Sequence, residues 1–381
     1  LRTALSPQAA QAQLLAVRAD AYAQSRNHVE GAVTGLSPFI THGLLSVPEV
    51  MAKLQLPPTH KLSFQLGWRE YFHHVWQHEG EAIFQSLHAG PLPDEAYARE
   101  LPADLLEGRT GVPAIDRAVH LLYNCGQLHN HARLWLASYA VHGRKVHWRA
   151  GADWLYAHLL DGDLASNHLS WQWVAGTGSH KPYLFNADNV ARFAPPAWHS
   201  SGTPIDQSYE ALDAWARTPG GWSPIPPNGP STHAEPTRQA GIPAGLGSEP
   251  QSAQVAGQRV WLVHPWSLAT PPEGFVPIAV LDEDFHARWA WSERRWHGVA
   301  ERLGAISTHL WRAPSSALLQ ALAGAASVSG VDNLHLDRRF AAALNLQPMP
   351  RAFGQPAKRC RSFSAFWKEA AGEMPSAHWR G

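Results

Sequence analysis

The chain is short of cysteine, of charge and of long apolar runs, and each shortage removes a class of protein. Cys125 and Cys360 are the only cysteines in 381 residues. Two are too few for a disulfide scaffold, an all-cysteine zinc site or a four-cysteine iron–sulfur cluster, and they suit a reducing, cytoplasmic setting. Charged residues make up 16% of the sequence, against roughly 25% in soluble proteins. The 31 basic and 31 acidic side chains cancel, so any hold on DNA needs a local basic patch rather than bulk charge. No stretch nears the ~20 apolar residues that span a bilayer. The start has neither the basic nor the apolar region of a signal peptide. Internal repeats and glycine-rich phosphate loops are missing too.

What is abundant is tryptophan, at 18, and histidine, at 23. Most indoles are expected to fill an aromatic core. His74 and His78 stand four apart and invite a metal reading, but without a third ligand or a nearby base they read as structural. The literal His129-Asn130-His131 run is not a nuclease signature, because those motifs are dispersed constellations.

Apolar residues recur at helical spacing through the first half. Helices are expected over 8–24, over 62–76 and over 116–142, with Pro113 suited to a helix start because its missing N–H costs nothing there. A short helix is expected at Tyr209–Ala216. From Pro195 to about Gly257 the chain is dense in Pro, Gly and Ser, and 218–257 reads as a linker. Beyond it, 260–264 and 276–281 are short β-rich apolar runs of the kind found in buried strands. A helix follows over 292–303 with Ser292 as its N-cap. Further strand and helix candidates lie at 308–311, 316–322 and 363–371. The expected layout is an all-α domain over 1–217, the linker, and a small α/β domain over 258–381.

The chemistry concentrates at Leu159–Phe185, LLDGDLASNHLSWQWVAGTGSHKPYLF. Asp161 and Asp163 precede a helix expected to start near Ala165. On it Asn167, Ser170, Trp171 and Val174 share a face. Asn130 and Arg133 form another pair three residues apart in an otherwise apolar stretch. A buried arginine needs a carboxylate, and Asp161 or Asp163 would serve. By pattern alone this is equally a salt-bridge network tying two helices together.

The same run resembles the flavin-binding signature of photolyases and cryptochromes, DGDxAxNxxxWQWxAGTGxxxxPYxxxFN. LHNHARLWLAS is similar to the family's WxHNxxRMxxAS helix, GWREYF to its WREF segment, GRTGVPAID to GxTGxPxxD, and VTGLSPFITHG to TSxLSPxLxxG. Five segments fall in family order across most of residues 20–195. The resemblance implies an all-helical FAD-binding domain of photolyase/cryptochrome type. Thr34, Gly35, Leu36 and Ser37 would hold the diphosphate, with Tyr22, Arg26 and Arg69 near the cofactor. Asn130 and Arg133 lie on the ring-side helix, Arg133 paired with Asp161. Asp163 would bond the N3/O4 edge of the ring and Asn167 would face N5. Trp171 would be the indole nearest the flavin and Trp148 the next electron donor, with Tyr97 in place of a third, surface tryptophan.

The lesion pocket departs from the family pattern. Dimer-repairing members carry Glu, Trp and Met where Gln65, Gln127 and Leu134 stand, while the stacking tryptophan, Trp68, is kept. Asn130 and Leu134 occupy the places of the histidine pair of six-four photolyases. Lost stacking weakens the hold on a base by roughly 1–3 kcal/mol, and zero net charge lowers DNA affinity further. The resemblance therefore implies a light-responsive, cryptochrome-like flavoprotein with a signalling protein partner. The alternatives are a deoxyribodipyrimidine photolyase, acting on DNA through the flavin pocket, and a photochemically idle flavin-binding module. The C-terminal part resembles a displaced, degenerate antenna domain, expected to carry no antenna pigment. No metal and no membrane are expected.

Overall fold

The computed structural model describes residues 4–179, 181–223 and 235–371. Helices α1 (Pro7–Ala16), α2 (Ala19–Ser25), α3 (Ser37–Thr41), α4 (Val47–Lys53), α5 (Lys61–Glu79) and α6 (Ala103–Leu106) open the chain. Then come α7 (Pro113–Cys125), α8 (Asn130–Ser138), α9 (Trp148–His158), α10 (Leu164–Ala175), α11 (Ala187–Phe193) and α12 (Tyr209–Ala216). The rest alternates: β1 (Arg238–Gln239), β2 (Arg259–Val263), β3 (Val276–Asp282), α13 (Glu283–Arg288), β4 (Trp291–Ser292), α14 (Glu293–Ile306) and β5 (His309–Ala313). It ends with α15 (Ser315–Leu322), β6 (Ser327–Val331), α16 (Arg338–Ala343), β7 (Asn345–Gln347) and α17 (Phe363–Ala371). The chain thus holds a helical region and a small parallel-sheet region.

Two of the expected helices are broken. The one over 8–24 divides at Val17 and Arg18, both in extended backbone. The one over 116–142 stops at Gly126, whose φ of 67° is left-handed, a conformation that glycine adopts without Cβ strain and that ends helices. The chain re-enters at α8 under a cap from His129 and leaves through a π turn over Tyr139–Gly143. Asn130 and Arg133 therefore stand in the first turn of a helix, not in the middle of one.

Two compact units are formed, and neither is one continuous piece of chain. One comprises Leu1–Val17, Thr34–Gln77 and Thr237–Gly381; the other comprises Arg18–Val33 and His78–Pro236. The second is helical. Its core gathers Ile115, Val119, Leu122, Trp135, Leu136, Trp148, Trp154, Leu155 and Trp171, all almost wholly buried.

In the first unit a parallel sheet runs in the order β5-β3-β2-β6-β7. Val260 and Leu262 pair with Val276 and Ile278 on one side and with Val328 and Gly330 on the other. Apart from the half-buried Val276, these positions are buried along with Val280, Trp311, Leu318 and Phe340, which is why β2 and β3 read as near-continuous apolar runs. Ser292 caps α14, its hydroxyl accepting from the Arg295 amide. β6 and β7 went unread in the sequence. In the stretch read as a linker, residues 224–234 lie outside the described residues. Further on, β1 pairs antiparallel with β4 and Ser248 bonds to the Leu310 carbonyl.

Strand order reverses between β2 and β6, the place where open parallel sheets bind ligands beyond their carboxyl ends. There His264 donates from Nε2 to the Val331 carbonyl at 2.9 Å and accepts at Nδ1 from the Trp266 amide. A cavity of about 280 Å³ lies beside it, lined among others by Trp261, Trp266, Asn333, Arg351, His73 and Arg69.

Candidate flavin site

In the helical unit, α7, α8, α9 and α10 carry the groups that the sequence singled out. Arg133 Nη2 lies 3.0 and 2.8 Å from the two carboxylate oxygens of Asp161, and its Nε donates to the Leu128 carbonyl at 2.8 Å. Both acceptors belong to turns that flank helices, so the guanidinium ties the entry of α8 to the entry of α10. Of the two carboxylates open to Arg133, Asp161 takes it. Asp163 is the N-cap of α10, accepting from the Ser166 amide at 2.8 Å, as a carboxylate at a helix start should.

His129 caps α8 by accepting the His131 amide at Nδ1, 3.1 Å away. Its Nε2 faces the Arg26 carbonyl at 3.0 Å. One acceptor and one donor position fix the neutral Nε2–H tautomer. Burial, with His131 next to it, pushes its pKa down to about 4. Tyr22 shares a side-chain hydrogen bond with Arg26, and burial raises its phenol. Asn130 is exposed.

Asn167 and Trp171 lie one turn apart on α10, both buried. The Asn167 amide nitrogen donates to the Ala152 carbonyl of α9 at 2.8 Å, which fixes the side chain between helices. Trp171 packs over Gly151. A Cβ built on that glycine would come within 2.3 Å of the indole's six-membered ring, so α9 is flat where the ring lies. The Trp171 N–H is buried and finds no hydrogen-bond partner among the described residues.

Trp148 stands one turn before Gly151 on α9, buried, its N–H donating to Ser86 Oγ at 3.0 Å. From it a ring ladder runs outward. His147 lies 5.6 Å from Trp148 and Tyr97 lies 6.3 Å from His147, between centroids. Tyr97 is half-buried. Sequence reasoning missed His168, whose fully buried ring directs Nδ1 at the Leu164 carbonyl and Nε2 at Asp153, each 2.9 Å away. Asp153, held low by His168 and Arg149, also receives Arg149. Helical i, i+4 spacing would have found the His168–Leu164 and Arg149–Asp153 contacts; the bond from His168 to Asp153 crosses between α10 and α9.

Of the remaining sequence-predicted residues, Thr34 to Ser37, Gln65, Trp68 and Arg69 fall in the other unit. Thr34 Oγ1 receives the Leu36 amide at 3.4 Å, and the Thr34 carbonyl receives Gln13 at 2.8 Å. Gly35 takes a left-handed φ of 63° with Gln13 close above it. Leu36 is buried and Ser37 exposed. Arg69 lines the cavity beside the sheet. Gln65 and Trp68 are half-buried on α5; Gln127 and Leu134 are half-buried in the helical unit. Among the described residues no cluster of His, Cys, Asp and Glu could hold a metal ion, and no helix is long and apolar enough to cross a membrane.

Residues 62–210 match the family model described as the FAD binding domain of DNA photolyase. This stretch belongs to the photolyase/cryptochrome superfamily. Cryptochrome DASH of Idiomarina loihiensis is 32% identical over 219 residues, which are 51% of this chain and 48% of that protein. The deoxyribodipyrimidine photo-lyase of Streptomyces griseus is 34% identical over 151 residues, 39% of this chain and 33% of that one. The solved cryptochrome of Synechocystis sp. PCC6803 aligns over 49% of this chain and 43% of its own, at a TM-score of 0.45 and 26% identity. The chain spans about half or less of the length of these relatives.

FAD is the cofactor of such a domain, and the helical unit fits it. A buried indole N–H, that of Trp171, has no partner among the described residues, and a largely buried carboxylate is matched by a partly exposed guanidinium. Arg133 and Asp161 stand at the entries of α8 and α10.

Proposed function

We propose that this chain is a light-responsive flavoprotein in which Trp171 would serve as the electron donor to bound FAD and Trp148 would in turn refill Trp171. Arg133, Asp161, Asp163 and Asn167, all in the helical unit, would hold the isoalloxazine, with Tyr22 of the same unit near the cofactor. When bound and excited, FAD supplies a strong one-electron oxidant.

The observation that carries the reading is the placement of Trp171. Its N–H has no acceptor among the described residues, so none of those residues would take its proton on oxidation. Only an electron then needs to move to fill it. Trp148 would be the next donor; it is buried and its N–H is held by Ser86. Loss of an electron from Trp148 restores Trp171 and carries the positive charge toward His147 and Tyr97.

Cryptochrome-like signalling is favoured over DNA repair. The Glu, Trp and Met of dimer-repairing family members are Gln65, Gln127 and Leu134 in this chain. The second reading, a deoxyribodipyrimidine photolyase, draws on the retained Trp68 and on the photo-lyase relatives. Blue light and a thiol should bleach the flavin absorbance of purified protein, and Trp171→Phe should slow the bleaching sharply. Bleaching unaffected by that substitution would leave an idle flavin module. Illuminated protein that clears cyclobutane dimers from irradiated DNA would favour repair.

A further inference from the structure

Both ring nitrogens of His168, a fully buried residue of α10, face oxygen atoms. Nδ1 lies 2.9 Å from the Leu164 carbonyl, one turn back on the same helix, and Nε2 lies 2.9 Å from Asp153 Oδ1 on α9. A carbonyl can only accept. Asp153 can only accept as well: burial raises its carboxyl, but His168 and Arg149 more than offset this and leave it low and ionised. A neutral imidazole would therefore point a bare lone pair at one of the two oxygens. Both nitrogens carry protons, and the ring is an imidazolium.

Burial pulls the ring toward its neutral form and Arg149 adds to the pull, while Asp153 and the Leu164 carbonyl oppose it. The pair of acceptors decides the outcome, because a buried lone pair set against an oxygen is repelled in either neutral tautomer. The same Asp153 oxygen also receives Arg149 Nε at 2.7 Å. Two cations thus share one anion, and the trio keeps a net positive charge. Water screens its members unevenly. The Asp153 side chain is 41% exposed and that of Arg149 25%, whereas that of His168 is 0% exposed. The imidazolium is the charge least weakened by solvent.

Trp148 is a neighbour of this charge, its ring set edge to face with His168 at 6.4 Å between centroids and 86° between planes. An indole that has lost an electron is a cation. A unit charge at that separation disfavours a second one roughly 70-fold at an effective dielectric constant of about 20. We propose that His168 is a positioning residue of the electron path, whose fixed charge keeps the positive charge from resting on Trp148. In the step concerned one electron passes from Trp148 to oxidised Trp171, the first having gone to photoexcited FAD; no bond breaks and no proton moves. The role rests on the reading of Trp148 as the donor to Trp171, whereas the charge on His168 does not.

The charge is read in the dark, by nitrogen NMR of the full, FAD-loaded chain with isotope-labelled histidine. At about pH 8 an ordinary histidine is neutral. The wild type should then still show a slowly exchanging ring with both nitrogens protonated, and His168→Gln should lack it. After a blue flash, the indole cation radical should last on the order of 10-fold longer in His168→Gln than in the wild type. His168→Lys, which keeps a cation beside Asp153, should decay like the wild type. Equal lifetimes in wild type and His168→Gln, or a lifetime as long in His168→Lys as in His168→Gln, would overturn the proposal. So would a wild-type spectrum without a doubly protonated ring, a result that needs no folded variant. A wild type that forms no indole radical would fail the flavin reading and take the role of His168 with it, while the dark spectrum would still report the charge.

Discussion

Arg133 and Asp161 are joined through a single guanidinium nitrogen, Nη2, 3.0 and 2.8 Å from the two carboxylate oxygens. The carboxylate side chain is 6% exposed and the guanidinium 28%, so the pair is neither a surface contact nor sealed from water. Removing one member leaves the other partly desolvated and uncompensated. Arg133→Leu and Asp161→Asn should each weaken FAD retention by about 2 kcal/mol or more, roughly 30-fold. FAD titration with thermal melts separates lost affinity from lost fold. Arg133→Lys should rescue little, because an ammonium cannot serve both Asp161 and the Leu128 carbonyl in fixed geometry.

Gly151 offers a second probe of the same site. Its missing side chain makes room for Trp171, and a Cβ would come within 2.3 Å of the ring. Gly151→Ala should displace the indole and slow light-driven flavin bleaching, although alanine is the better helix former. Protein that melts at the wild-type temperature and bleaches at the wild-type rate would count against Trp171 as the electron donor.

Acid should unfold this protein early. Burial pushes His264 down to about 4 and His286 to about 3, from an ordinary 6.5. His142 is likewise pushed to about 4. In the folded chain these rings stay neutral as the pH falls below 6.5, while in the unfolded chain they take up protons. The unfolded state then binds more protons, so stability drops from about pH 6.5 to about pH 4, on the order of 2 kcal/mol per ring by pH 5. His264→Gln, which keeps a donor for the Val331 carbonyl, should give a shallower fall of melting temperature with pH. Parallel curves for variant and wild type would contradict this account.

The break between α7 and α8 rests on one residue. Gly126→Ala places a side chain at a φ of 67°, which costs about 1–2 kcal/mol. A drop in melting temperature without lost FAD binding is expected, because Arg133, Asp161 and Asn167 all lie beyond the turn.

Much of this was legible in the sequence, for identifiable reasons. Helices appear at Tyr209–Ala216 and Phe363–Ala371 with the bounds expected of those segments, and β2 and β3 announce themselves by short, mainly apolar runs. β6, Ser-Val-Ser-Gly-Val, carries no such signal. It is a strand because β2 and β7 flank it. In the site, a carboxylate for Arg133 was foreseeable, since a buried charge demands its opposite. That Gly151 lies under Trp171, or Phe363 against Trp68, was not, because both are tertiary contacts between separate helices. A glycine in a helix and a phenylalanine near the end of the chain look ordinary until packing brings them to a ring.

The most direct test is transient absorption after a blue flash on FAD-loaded wild type and Trp171→Phe, compared at equal flavin content. An indole cation radical should form in the wild type as the flavin band bleaches, and should be lost or strongly reduced in Trp171→Phe. The same radical signal in both proteins, or none in either, would contradict the account.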